Sequence, residues 1–178
     1  MRKSVFAMIA LMGTSAQAEI LDSAANGFTL SNAIAVAVDP DETYQALVGR
    51  VDQWWPKDHS WWGGTFTIDP VAGGCFCERK GAQQAQHLRV TLVDPGKLVR
   101  MTGGLGPLQG MGLDGVLEFR LEALETGGTT VTMYYRVGGY TTDDLSQFAP
   151  VVDQVQALQI GGLKRLLDGE DEAASDSP

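Results

Sequence analysis

His59, Glu78 and the pair Cys75 and Cys77 are the side chains whose types and spacing can do chemistry. His59 lies in WWPKDHSWW, residues 54–62, which gathers all four tryptophans of the chain (Trp54, Trp55, Trp61 and Trp62) around a polar turn. An imidazole with an ordinary pKa of about 6.5 moves across neutral pH under modest environmental shifts, so His59 is the acid–base candidate. Asp58 beside it and Glu78 across the sheet can orient it. The plainer alternative is a structural histidine bonded to backbone, because no nucleophile motif lies nearby. His87 starts a strand and is expected to be an ordinary edge residue.

Glu78 alternates with Phe76, so if Phe76 faces the interior, Glu78 does too. A carboxylate there is costly unless hydrogen-bonded, and burial would raise its pKa. The opposite phase puts both cysteines inward and Glu78 in water, and alternation does not choose between the two. Residues two apart in an extended strand place their Cβ atoms roughly 6 to 7 Å apart, against about 3.8 Å in a relaxed disulfide. A Cys75–Cys77 bond therefore demands a bulge. Metal binding would need a further ligand, His59 or Glu78, and the usual C-x-x-C spacing is absent.

These residues need elements to position them. Residues 28–38 (FTLSNAIAVAV) alternate with period two, placing Phe28, Leu30, Ile34, Val36 and Val38 on one face of a strand. Pro40-Asp41-Glu42 opens a helix whose stripe is Tyr44, Leu47, Val48 and Val51. Short strands follow over 65–69, 75–80, 87–93, 98–102, 116–124 and 130–137, divided by Asp69-Pro70, Gly73-Gly74, Asp94-Pro95-Gly96 and Thr126-Gly127-Gly128. In the last two, Leu117, Phe119 and Leu121 oppose Glu118, Arg120 and Glu122, and Val131, Met133, Tyr135 and Val137 oppose Thr132, Tyr134 and Arg136. That is the pattern of a meander with one buried face and one wet face.

A long helix is expected over 143–168, capped by Thr142, with Leu145, Phe148, Val152, Val155, Leu158, Leu163 and Leu166 as its stripe. Pro150 either kinks it or marks its true first turn. Gly161 and Gly162 inside it imply close backbone contact or room for something beneath. The stretch GGLGPLQGMGLDG, residues 103–115, does not fit a phosphate loop; it reads as a mobile lid touching a cavity through Leu105, Leu108 and Met111, with an ordinary long hairpin as the alternative.

Arg2 and Lys3 precede the apolar run from Val5 to Met12, which ends in Ala16-Gln17-Ala18, the form of a secretory signal with cleavage after residue 18. No segment approaches the roughly 20 apolar residues a membrane-spanning helix needs. The expected organisation is a signal over 1–18, one domain over 19–168 and a disordered acidic tail over 169–178. The mature protein is expected to be exported, and periplasmic if the source is Gram-negative. Without Arg2 and Lys3 the basic count falls from 13 to 11 against 22 acidic residues, moving the formal charge from -9 to -11. Such a surface repels phosphate backbones and anionic lipid, so neither nucleic acid nor membrane insertion is expected.

The order strand, helix pair, six-stranded meander and long C-terminal helix resembles the START-like superfamily, also called SRPBCC or helix-grip. WWPKDHSWWGG followed by DPVAGGCFCE is similar to its bacterial branch related to polyketide cyclases and to a co-chaperone-like group. The resemblance implies an α+β helix-grip fold, a curved antiparallel sheet of about seven strands around the C-terminal helix, with a cavity for hydrophobic small molecules between them. The expected lining is Trp54, Trp55, His59, Trp61 and Trp62 from the cluster, with Phe76 and Glu78. Met101, Phe119, Met133 and Tyr135 join from the sheet, Leu105 and Met111 from the lid, and Leu158 from the helix.

The resemblance implies a binding or carrier protein for a hydrophobic or aromatic ligand, without cofactor or metal. The alternatives are a cyclase- or dehydratase-type enzyme using His59 and Glu78, and a protein-interaction module. Oligomeric state has no signature in the sequence.

Overall fold

A computed structural model describes residues 17–169. The expected signal, apart from Gln17 and Ala18, and the expected tail, apart from Gly169, lie outside the described residues. The strands are β1 (Gln17–Ala24), β2 (Gly27–Val36), β3 (Thr65–Ile68), β4 (Cys75–Lys80), β5 (Gln83–Asp94), β6 (Leu98–Thr102), β7 (Asp114–Ala123) and β8 (Thr129–Gly138). The helices are α1 (Pro40–Gly49), α2 (Val51–Trp54), α3 (Pro107–Gly110) and α4 (Ala149–Asp168).

All strands join one antiparallel, curved, unclosed sheet in the order β1-β2-β8-β7-β6-β5-β4-β3. Eight strands form it rather than about seven. The extra one, β1, pairs with β2 from Gln17↔Ala33 to Ala24↔Gly27, so the helix pair follows the second strand. Its Ile20 and Leu21 are exposed, so β1 is held by its ladder and has no buried face to write a period-two pattern.

In β2 the buried positions are Phe28, Leu30, Asn32, Ile34 and Val36, and the strand ends at Val36 rather than Val38. Asn32 joins the apolar series because its Nδ2 donates to Asp153 of α4 at 3.1 Å. In the sheet centre Leu117 faces Tyr135 and Phe119 faces Met133 across β7 and β8, all buried. The opposite face is polar, yet Glu118 is buried there beneath Arg100 and Arg120, and Arg120 lies 4.6 Å over the Tyr134 ring.

Asp39 caps α1 by accepting from the Glu42 amide at 2.9 Å. A 3-10 turn at Leu145–Gln147, capped by Asp144, precedes α4, which begins only at Ala149. Thr142 is therefore not its cap. Pro150 occupies the first turn, where its missing N–H costs nothing. Gly169 ends α4 in the left-handed conformation at φ 74°.

Gly162 explains how close the helices come: a Cβ there would lie 2.0 Å from the Trp54 carbonyl oxygen, so only glycine lets α4 rest on α2. Trp54 is fixed in this seam, its Nε1 donating to the Leu47 carbonyl at 3.1 Å and its ring meeting Phe119 edge to face. Leu158 differs from expectation. It is 57% exposed, because the inward stripe of α4 runs through Val152, Gln156, Gln159, Ile160 and Leu163.

Candidate functional site

Glu78 is 0% exposed, its phase in β4 fixed by Phe76 pointing inward beside it, while the half-buried cysteines occupy the other face. Its carboxylate is met by the loop after the 3-10 turn Lys57–His59. Oε2 accepts from the Trp61 amide at 2.9 Å, and Oε1 accepts from the Trp62 and Gly64 amides at 3.1 and 3.0 Å. Gly64 must be small, since a Cβ would sit 2.9 Å from that carboxylate. Burial pushes the Glu78 carboxyl up, but the amides of Trp61, Gly64 and Trp62, together with His87, outweigh it and hold the group below its ordinary value. The rise expected from burial alone is thus reversed.

The imidazole against Glu78 is His87, not His59. His87 Nε2 stands 3.4 Å from Glu78 Oε2 without hydrogen-bond alignment. It is buried between Phe66 and Phe76, at ring separations of 5.5 and 5.4 Å. Desolvation lowers its pKa more than Glu78 raises it, so at neutral pH a neutral imidazole faces an ionised carboxylate. The expectation of an edge residue fails for a local reason. Phe76 pairs with Leu88 but Cys77 pairs with Gln86, so β5 carries His87 as an extra residue and both His87 and Leu88 turn inward.

Cys75 and Cys77 form a disulfide opposite this bulge, with their Cα atoms 5.4 Å apart. Among the described residues no group of three or more His, Cys, Asp or Glu is placed to hold a metal ion.

Beside His87 lies a cavity of about 390 Å3 between sheet and α4, within the range of small-molecule pockets. His87 and Tyr135 form its sheet wall, and Trp55 and residues 58–61 one end. The segment from Leu105 to Leu108, with Met111, forms the lid side, and α4 contributes Val152, Val155, Gln156 and Gln159. Phe148, Val151 and the 47%-exposed Trp61 mark its border. The lid segment folds as the single turn α3, fastened by the Leu105 amide donating to the Tyr135 hydroxyl at 3.2 Å. Burial pushes the Tyr135 phenol up to about 12, so it stays protonated at neutral pH.

Of the residues expected to line a cavity, the structure brings together Trp55, His59, Trp61, Leu105, Met111 and Tyr135. Trp54, Phe76, Met101, Phe119 and Met133 lie in the packed core. Glu78 is enclosed behind His87, Trp62 contributes a backbone amide to it, and Leu158 faces out. Trp55 serves both regions, packing on Phe76 at 4.9 Å.

His87, Gln156 and Gln159 were not anticipated. The glutamines had a signal: they continue Val152 and Leu163 at helical spacing, two amides on an apolar stripe, where hydrophobicity alone selects Leu158. Around this cavity, shielded from the hollow itself, several buried polar atoms have no hydrogen-bond partner among the described residues: His59 Nδ1, His87 Nε2, both amide atoms of Gln156, and Gln159 Oε1.

No family model and no curated protein matches the chain. In three dimensions it is similar to CalU16 from Micromonospora echinospora, with 15% identity and a TM-score of 0.60 over 88% of this chain and 86% of that one. It is also similar to SA2116 from Staphylococcus aureus, a protein of unknown function, with 15% identity and a TM-score of 0.59 over 82% of this chain and 96% of that one. DynU16, a protein in the dynemicin biosynthetic locus, shares 18% identity and a TM-score of 0.58 over 79% of this chain and 47% of that one. Identities this low show a common α+β fold and nothing of activity.

Proposed function

We propose that the protein is a helix-grip domain that binds a hydrophobic or aromatic small molecule in the cavity beneath α4, as a binder or carrier without catalysis. The observation that carries this reading is the cavity itself: about 390 Å3, walled mainly by aromatic and aliphatic side chains, with polar groups at a few points. The likeness to a protein of a biosynthetic locus supports small-molecule handling. Glu78 serves this site as a structural anion, tying the tryptophan loop to β4 and so fixing the end wall.

Tryptophan quenching by neutral bicyclic aromatics tests the proposal. Saturable binding is expected, and Val155→Trp, which fills the cavity from α4, weakens it about tenfold or more by overpacking the ligand's space. Absence of saturable binding by any such compound, or unchanged binding in the variant, overturns it.

A second reading has one observation in its favour: His87, a neutral imidazole in the cavity wall, has the Glu78 carboxylate 3.4 Å from its Nε2 and so places a base beside the hollow. On that reading His87→Ala lowers turnover about 100-fold, whereas on the carrier reading it changes affinity alone. Export is part of the proposal. Cleavage after Ala18 leaves Glu19↔Ser31 as the first β1–β2 pair, and the Cys75–Cys77 bond suits an oxidising compartment. A secreted or periplasmic chain beginning at Glu19 is the expected product, and a cytoplasmic full-length chain contradicts it.

A further inference from the structure

We infer that the Cys75–Cys77 disulfide is a second site, a thiol–disulfide exchange couple that takes two electrons from a dithiol, and not a structural staple. This stands apart from the ligand-binding reading. The two cysteines are half-buried on the face of β4 turned away from the cavity, whereas Phe76 between them packs inward on Trp55. Around them that face is open: Thr67 and Gln86, the strand partners of Cys77, and Arg89, the partner of Cys75, are all exposed.

A disulfide stabilises a fold by closing a loop, and its effect grows with the length of chain enclosed. This one encloses a single residue, Phe76. The strand it bridges is already held on both sides, pairing with β3 from Thr65↔Arg79 to Ile68↔Phe76 and with β5 from Cys75↔Arg89 to Lys80↔Gln83. The bond therefore adds little to the fold, and breaking it leaves both ladders in place. It also draws β4 in. The Cα atoms of Cys75 and Cys77 are 5.4 Å apart, against about 6.6 Å for residues two apart in an extended strand. Reduction lets the strand lengthen, which favours the open dithiol.

Charge on this face favours a thiolate as well. Arg89 stands opposite Cys75 and Arg79 follows Cys77 two residues on, both exposed. Against them stands the exposed Asp69, whose amide donates to the Cys75 carbonyl at 3.0 Å.

The exchange proceeds in two displacements. A donor thiolate attacks one cysteine sulfur, forming a mixed disulfide as the Cys75–Cys77 bond breaks, and the other cysteine leaves as a thiolate and takes a proton. The donor's second thiolate attacks the mixed disulfide, closing the donor's own disulfide and releasing the first cysteine, which is protonated in turn. Two electrons and two protons pass from donor to protein.

Reduction of the folded protein by dithiothreitol, followed by alkylation and intact mass, tests this. Two alkyl groups are expected on a chain that keeps its circular dichroism spectrum. The rate should be proportional to dithiothreitol concentration and flat across urea concentrations that leave the protein folded. Reduced thioredoxin in place of dithiothreitol distinguishes the source of the dithiol: reduction by both admits protein donors, and reduction by dithiothreitol alone confines the site to small ones. Cys75→Ser and Cys77→Ser, taken separately, expose one thiol each, and at least one should take up glutathione from its disulfide while folded. The double variant should take up none and should melt within about 5 °C of the wild type.

A bond that opens only as urea unfolds the chain, a fold lost on reduction, or a double variant that melts far lower would show a structural staple and overturn the inference, leaving the cavity's role untouched. Failure of both single variants to take up glutathione overturns it as well.

Discussion

Glu78 and His87 make a buried pair whose protonation is tied to folding. The folded carboxyl is held below its ordinary value of 4.5, so its stabilising effect is fully present above that pH and is lost as pH falls towards the folded value. The folded imidazole is held below 6.5, so below that pH the unfolded chain takes up a proton that the native state resists. Both effects have the same sign. Stability measured by denaturant unfolding is predicted to fall on acidification in two steps, one starting near 6.5 and one near 4.5. Glu78→Gln should cost about 2–4 kcal/mol at neutral pH, because an amide cannot accept from all three loop N–H groups without turning its own NH2 against one of them. It should also shrink the lower step, leaving the part due to Glu118, whose carboxyl burial pushes up but Arg100 and Arg120 hold below its ordinary value. A variant as stable as wild type, or one whose acid step is as large as the wild type's, would contradict this role for Glu78.

The decisive element is α4, whose approach to α2 depends on one missing methyl group. Gly162→Ala would drive a Cβ into the Trp54 carbonyl, and urea unfolding is predicted to show a loss of about 1–3 kcal/mol. Gly161→Ala meets nothing closer than an Arg165 guanidinium nitrogen at 3.6 Å, and should be neutral or stabilising by up to about 1 kcal/mol. Equal effects at the two positions would contradict the packing described. The sequence foreshadowed this contact as a glycine pair inside a helix, and alternation in β2, β7 and β8 foreshadowed the buried sheet face. It did not reveal His87, because a single extra residue in β5 inverts the alternation from that point and leaves no mark in composition. Nor did it reveal the true face of α4, since Gln156 and Gln159 interrupt the apolar stripe that a hydrophobic pattern follows.

As a whole the molecule fills most of its interior and leaves one end of the sheet–helix layer open. Trp54, Phe66, Phe76 and Phe119 pack the filled part, which is why many residues expected at a ligand site belong to the core instead. The boundary is set by Trp55 and His87, which touch packed side chains on one side and the cavity on the other. A hollow bordered by tryptophans was an expectation of the resemblance that residues 54–62 help to carry, whereas the place of His87 and of the two glutamines depends on a bulge and a helix rotation that only coordinates reveal. The most direct measurement is native mass spectrometry of the protein purified from its own host. The account predicts a stoichiometric adduct of a hydrophobic or aromatic small molecule, released on unfolding and absent from Val155→Trp. A ligand-free mass in repeated preparations, identical for wild type and variant, would contradict it.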